Sequence, residues 1–275
     1  MNKSARSRKE SAIRAARLGG EILLDKFREG PRTIVRKGSR DYVTDADRES
    51  QKVIVEFLRK RHPGDAICAE ESLKIGNQDG LLWVIDPLDG TTNFIHGYPC
   101  FSVSVAILQG SRILAGAIYD PTRGEMFDAE LGAGSRLNGK PIRASTRTDL
   151  PEALLVTGFP FRNPDGLDEF LLDFTGLFRA CSGIRRDGSA ALNLCYIASG
   201  RLDGFWERGL SLWDIAAGTL LVQEAGGKVS DLRGTNTHLD TGEILAANPE
   251  IHRRMLAILK RNPLRGELEN AKKTR

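Results

Sequence analysis

Ile13, Ala16, Gly20, Leu23 and Phe27 recur at helical spacing, so the chain is predicted to open on an amphipathic helix over residues 10–28. A second helical pattern covers 45–61, and short apolar runs at 66–70 and 81–86 read as strands. The pattern then switches to alternation. Phe101–Leu108, Arg112–Tyr119 and Glu125–Ala129 read as antiparallel strands, with Asn138-Gly139 as a hairpin turn. Past Pro151, strand and helix alternate. A strand at Leu154–Thr157 precedes helices at 165–179 and 189–199, the second closed by Gly200. A strand at Gly204–Glu207 and a helix at Trp213–Ala225 follow, and Gly226-Gly227 ends that helix. Layered sheets and helices are expected from this order. No repeat or Pro/Gly/Ser linker divides residues 1–275, which read as one domain with a soft boundary near 145–152.

An apolar content of 40% and a charged content of 28% are those of a globular protein that can bury a sizeable core. No apolar run approaches the ~20 residues that span a bilayer, and the basic N-terminus lacks the apolar run of a secretory signal. No membrane partner is expected, and an Arg-rich transit peptide is the alternative to a first helix. Cys68, Cys100, Cys181 and Cys195 form no C-x-x-C pair, and the four histidines show no zinc-ligand spacing. Reduced thiols in a cytoplasmic protein are expected. The charge is uneven. Residues 1–17 carry +5 and residues 260–275 carry +4, so a net charge of +4 leaves the middle at −5. The basic ends, 262–275 in particular, are expected to be frayed and solvated, with a nucleic-acid contact as the alternative. An acidic middle suits carboxylates gathered around cations.

The candidate chemistry centres on Trp83-Val-Ile-Asp-Pro-Leu-Asp-Gly-Thr-Thr-Asn-Phe94. Pro87 holds Asp86 extended, so Asp86 is expected to end a strand. Gly90 permits a tight bend, and Thr91-Thr92 can open a short helix whose free N–H groups suit an anion. One turn thus offers carboxylates to a cation and amides to a phosphate. The i, i+3 aspartate spacing does not match an aspartyl nucleophile of the haloacid dehalogenase type, and no EF-hand loop is present. Gly134-Ser-Arg-Leu-Asn-Gly-Lys-Pro141 approaches a P-loop, but Pro141 stands where the magnesium-binding hydroxyl belongs. Elsewhere, Glu70-Glu71 ends a strand, and strand alternation lets only one of the two face a given centre. Thr44 with Asp47 reads as a capping box, and Asp214 lies in the first turn of its helix. Singly, each of these has a structural explanation.

Together they resemble the inositol monophosphatase family, most closely its bacterial inositol-1-monophosphatase branch. The resemblance covers roughly residues 10–260 and rests on Asp47, Glu70-Glu71, Asp86-Pro-Leu-Asp-Gly-Thr-Thr92, Gly188-Ser-Ala-Ala191, Trp213-Asp-Ile-Ala-Ala-Gly218 and Glu224-Ala-Gly-Gly227, in that order. It implies an α+β fold, a layered αβαβα sandwich, and a magnesium-dependent phosphomonoesterase that hydrolyses inositol 1-phosphate with metal-activated water and no phosphoenzyme. Glu70, Asp86 and the Leu88 carbonyl are the implied ligands of one Mg2+. Asp86, Asp89 and Asp214 are those of a second, and Glu70 with water of a weaker third, with Mn2+ as a substitute. Two unit charges about 4 Å apart repel by roughly 4 kcal/mol at an effective dielectric near 20, so converging carboxylates need such neutralisation.

Thr91 paired with Asp47 is the implied water-activating couple, with Glu70 and Lys37 also catalytic. Gly90 and Thr91 would hold the phosphate, and Glu70, Leu88, Asp89, Gly188, Ser189, Ala190, Glu207 and Asp214 complete the implied substrate site. Arg185-Arg-Asp187 is a departure, because the family usually places a small or apolar residue before the glycine; Asp187 would add negative charge at the polyol end. A homodimer and lithium sensitivity are also implied. Alternatives are a related sugar phosphatase acting on fructose 1,6-bisphosphate or histidinol phosphate, and an added regulatory role with RNA or the transcription machinery. The 3′-phosphoadenosine 5′-phosphate branch fits less well, since Thr92-Asn93-Phe94 replaces its charged segment.

Overall fold

The first helical pattern becomes α1 (Lys3–Glu29), followed by the hairpin β1 (Ile34–Gly38) and β2 (Asp41–Thr44) and by α2 (Asp45–Arg61). The structure, a computed structural model, describes residues 3–30, 33–38, 41–75, 80–161 and 164–261. Then come β3 (Ala66–Ala69), β4 (Ser72–Ile75), β5 (Leu81–Asp89), the short α3 (Thr91–Ile95), β6 (Ser102–Gln109), β7 (Arg112–Asp120), β8 (Glu125–Glu130), β9 (Gly134–Leu137) and β10 (Lys140–Pro141). The second half holds β11 (Leu154–Thr157), α4 (Leu167–Phe178), β12 (Gly183–Arg185), α5 (Ala190–Ala198), β13 (Gly204–Glu207) and α6 (Leu212–Glu224). It closes with β14 (Lys228–Ser230), α7 (His238–Thr241), β15 (Ile244–Ala247) and α8 (Pro249–Leu259). Asn138 and Gly139 both take positive φ, 48° and 78°, between the paired β9 and β10, as the hairpin reading requires.

Two sheets organise the chain. The larger runs β10-β9-β8-β7-β6-β5-β3-β4 and is antiparallel except for the β3–β5 pair; the smaller runs β12-β11-β13-β15-β14. Strand alternation sends the side chains of the larger sheet into two cores. Trp83, Ile85, Val105 and Ala117 pack with Ala16, Leu23 and Ile54 of α1 and α2. Val84, Ala106, Ile118 and Phe127 pack with Leu192, Ile197, Ile215 and Leu220 of α5 and α6. The same middle layer receives Val156, Phe205 and Ala246 from one face of the smaller sheet. Its other face, through Leu155, Trp206 and Leu245, meets Leu177, Ile251 and Met255 of α4 and α8. The result is the αβαβα sandwich. Helix α6 is buried all round from Asp214 to Val222, as a helix sandwiched between two sheets must be.

Two expectations need correction. Among the described residues, the N-terminal basic positions are not uniformly frayed and solvated, although Arg14 and Arg17 are exposed. Arg8 reaches Asp65 at 3.4 Å, Lys9 lies 3.5 Å from Asp128, and Lys26 pairs with Asp45 and Glu49 at 3.3 and 2.7 Å. Arg17 lies over the Tyr119 ring. These contacts fasten α1 to the acidic body by local neutralisation. Asp86, secondly, does not end its strand. β5 continues to Asp89, and its register against β6 shifts between Asp86 and Asp89, around the residue that lacks an N–H. Residues 262–275 lie outside the described residues. All four cysteines are free thiols, and among the described residues no helix is long and apolar enough to cross a membrane.

Candidate active site

Strand ends and helix starts meet at one cavity of about 430 Å³. Ala69 ends β3, so Glu70 follows in a turn and lines the cavity, whereas the Glu71 N–H is held by the Gln51 side chain at 3.0 Å. The bulged end of β5 delivers Asp86, Leu88 and Asp89. Gly90 follows at φ +93°, and a Cβ there would lie 2.9 Å from the Cys100 carbonyl oxygen, so this turn accepts only glycine without strain. Thr91 then begins α3. Phe94 anchors that helix, with ring centroids 5.1 Å from Phe101 and 5.5 Å from Phe27. Asn93 ties it down through its amide, which donates to the Cys100 and Asp187 carbonyls at 2.7 and 2.8 Å.

The three aspartates share one device. Each is gripped through an oxygen by a backbone N–H: Asp86 by Leu88 at 3.0 Å, Asp89 by Ala191 at 2.9 Å and Asp214 by Ser211 at 2.7 Å. Asp89 also accepts the Ser189 hydroxyl. One oxygen from each of the three lies within 4.8 Å of the others, and all three residues are buried. Burial, then the neighbouring Glu70, Asp89 and Asp214, holds the Asp86 carboxyl well above the ordinary range. Burial and Asp214 push Asp89 up to about 7. A cluster of this kind must take up protons or cations.

Asp47 stands behind the cavity wall. Its Oδ2 accepts the Thr44 N–H at 2.8 Å and the Thr44 hydroxyl at 2.6 Å, while Oδ1 faces the Thr91 hydroxyl at 3.2 Å. The capping box and the predicted pairing with Thr91 are therefore both present, one on each oxygen. Burial pushes the Asp47 carboxyl up to about 6. The Leu88 carbonyl lies 3.0 Å from the same Thr91 hydroxyl.

Gly188, Ser189 and Ala190 line the opposite wall at the start of α5, and Glu207 does so at the end of β13. Lys37 is in β1, but its side chain lies outside the described residues. Asp187 requires correction: its carbonyl is taken by Asn93, and it is Arg186 that lines the cavity. Sequence reasoning also missed Tyr42, Phe159, Phe161 and Arg208. None of these carries a motif, although Gly158 just after a strand could have marked a close approach.

The same relationship emerges from comparison with known proteins. The sequence profile of the inositol monophosphatase family matches residues 5–264. A Pseudomonas aeruginosa protein named Nus factor SuhB is 48% identical over 257 residues, covering 90% of this chain and 94% of that one. The extragenic suppressor protein suhB from Bartonella henselae superposes with a TM-score of 0.88 at 40% identity, covering 92% of this chain and 98% of that one. An inositol monophosphatase from Anabaena gives a TM-score of 0.83 at 40% identity, with 95% and 98% covered. With the ordered motifs, the layered fold and the buried acidic cluster all in agreement, the chain belongs to the inositol monophosphatase family.

Proposed function

We propose that the cavity hydrolyses a phosphate monoester of a small polyol or sugar, inositol 1-phosphate foremost, with Mg2+ held by the acidic cluster. The carrying observation is the burial of Asp86, Asp89 and Asp214 with oxygens within 4.8 Å of one another. Hard, anionic oxygen donors so close together fit Mg2+ or Mn2+ rather than a softer ion. Glu70, Asp86, Asp89, Asp214 and the Leu88 carbonyl are the proposed ligands of two or three ions. Bound there, Mg2+ would supply Lewis-acid polarisation of the phosphoryl oxygens and of the attacking water.

The remaining steps are assigned to the chain's own groups. The amides of Gly90 and Thr91 are proposed to hold the phosphate. Above about pH 6 the Asp47 carboxylate is ionised and outcompetes the Leu88 carbonyl for the Thr91 proton. The Thr91 oxygen then keeps a lone pair for the proton of water, and Lys37 would add charge beside it. Glu207, Asp214, Asp89 and Ala190 would receive the alcohol's hydroxyls. A homodimer and lithium inhibition belong to the same reading. Purified protein should release phosphate from inositol 1-phosphate with Mg2+ and not with EDTA. Release no greater than that of Asp86→Asn would remove the reading, and a panel adding fructose 1,6-bisphosphate and histidinol phosphate ranks the alternatives.

Glu207 has a distinctive support. A Cβ on Gly158 would lie 1.9 Å from its Oε1, so the carboxylate rests directly on the glycine backbone. Gly158→Ala is expected to displace Glu207 and lower kcat/KM for inositol 1-phosphate on the order of tenfold to 10²-fold. Hydrolysis of p-nitrophenyl phosphate, whose leaving group has no ring hydroxyls, should fall much less. Equal losses on both esters would argue against a hydroxyl-reading Glu207.

The name Nus factor carried by the Pseudomonas relative favours a second role with the transcription machinery, alongside catalysis. Six Lys/Arg against two Glu in residues 260–275 make that end the candidate contact. Deleting 262–275 should weaken binding to RNA polymerase or RNA in a salt-dependent manner and leave phosphatase turnover intact. Binding that survives the deletion would exclude the tail.

A further inference from the structure

Among the described residues two arginines line the cavity, and they differ in what holds them. Arg208 is committed to Asp173, to Glu169 at 3.0 Å and to Glu243 at 2.9 Å, an arrangement that neutralises it. The ion pairs among the described residues do not include Arg186, although the neighbouring Asp187 carboxyl feels its charge. Its guanidinium instead lies 5.4 Å from the Phe159 ring centroid and 5.2 Å from that of Phe161. The two rings stand edge to face at 5.6 Å. Arg186 Nη1 would lie 2.6 Å from a Cβ on Gly188, so the charge is pressed against the backbone that leads into Ser189 and Ala190. Cation–π contact fixes the guanidinium plane without neutralising its charge, and its hydrogen-bond donors remain available.

We propose that Arg186 is a specificity-determining residue that receives a second phosphate carried by the alcohol part of the substrate, an inference that rests on the phosphatase reading above. The reacting phosphate belongs at the aspartate cluster, so Arg186 serves the far end of the ester. The neighbouring wall contributes the carboxylates Glu207 and Asp214, which accept hydroxyls and repel anions. A bisphosphate therefore needs a cation to offset that wall, and a planar guanidinium can grip a phosphate through paired N–H donors. A cavity of about 430 Å³ is large enough for a phosphorylated hexose.

The test compares fructose 1,6-bisphosphate with fructose 1-phosphate, which differ only in the far phosphate. The wild type should prefer the bisphosphate, and that preference should shrink as salt is added. Arg186→Met keeps the length and the contact with the rings but removes the charge. It is expected to lower the ratio of the two kcat/KM values by at least about tenfold, chiefly through KM of the bisphosphate, with partial recovery in Arg186→Lys. A wild type without the preference, or a ratio unchanged in Arg186→Met, overturns the proposal. A merely structural role for Arg186 would lower both substrates together and leave the ratio where it was. If neither ester nor inositol 1-phosphate is hydrolysed above the level of Asp86→Asn, the phosphatase reading fails and this proposal with it.

Discussion

Asp86→Asn is expected to lower phosphate release from inositol 1-phosphate on the order of 10³-fold or more, roughly 4 kcal/mol of transition-state stabilisation. The same change should raise the melting temperature of the metal-free protein. Both effects follow from one environment. Asp86 is 2% exposed and crowded by Glu70, Asp89 and Asp214, which is what a cation needs and what a lone carboxylate resists. An asparagine oxygen can still accept the Leu88 N–H that Asp86 holds at 3.0 Å, so the turn keeps its hydrogen bond. The unfolded chain ionises this carboxyl near 3.8, whereas the folded chain resists its ionisation, so wild-type folding carries a cost that grows with pH. Asparagine removes it. Phosphate assay and thermal melting in EDTA check the pair. Turnover within tenfold of wild type (about 1.4 kcal/mol) would count against the role of Asp86 as a ligand. A lower melting temperature in EDTA would count against the electrostatic account.

Mg2+ should stabilise the wild type far more at about pH 8 than at about pH 5, and the sign is set by the same carboxylates. Asp47 has its folded-state value raised from 3.8 to about 6, and Asp89 from 3.8 to about 7. Between 3.8 and those values the folded chain binds more protons than the unfolded one. Their contribution to stability is therefore fully present below the unfolded value and is lost as pH rises through about 6 and 7. This is opposite to the behaviour of a salt-bridged aspartate. A cation in the cluster replaces the protons of Asp86 and Asp89, so its benefit is largest where those protons are hardest to hold. At a concentration about 100 times the dissociation constant it adds about 2.7 kcal/mol. For a chain of this size that is on the order of 5 °C or more. Melting curves at the two pH values, with and without MgCl2, decide it; an equal increment at both would sink the idea.

Much of the site could be read from residues close in sequence. Pro87, Gly90 and the spacing of Asp86 and Asp89 encode their own turn, and Thr44 and Ser211 encode helix starts that hold Asp47 and Asp214. The structural and functional readings of those two aspartates are not rivals, since a capping carboxylate spends one oxygen on the helix and keeps another. Helices α2, α4, α5 and α6 and strands β6 to β8 were legible because their periods run for several residues. Strands β14 and β15 were not. Three or four residues such as Ile244–Ala247, buried on both faces, show no alternation to detect. Helix α8, for which the sequence reading has no element, is capped by the Asn248 side chain, whose amide holds the Arg147 carbonyl at 2.8 Å, and buries Ile251, Met255 and Leu259.

By itself, the sequence determined the local chemistry: which carboxylates start helices, where glycine must bend the chain, and the order of the family's blocks. The tertiary structure decided what those residues meet. Thr91 finds Asp47 across 44 positions, Asp89 is gripped from 102 positions away, and Arg8 finds Asp65 across 57. It also decided that Arg186 rather than Asp187 looks into the cavity, a choice between adjacent residues set by the packing of two phenylalanines and by Asn93. Short-range preferences rest on dihedral angles and hydrogen bonds within a few residues, which a sequence displays directly. Convergence rests on burying two sheets against a shared pair of helices, and no local pattern contains that choice.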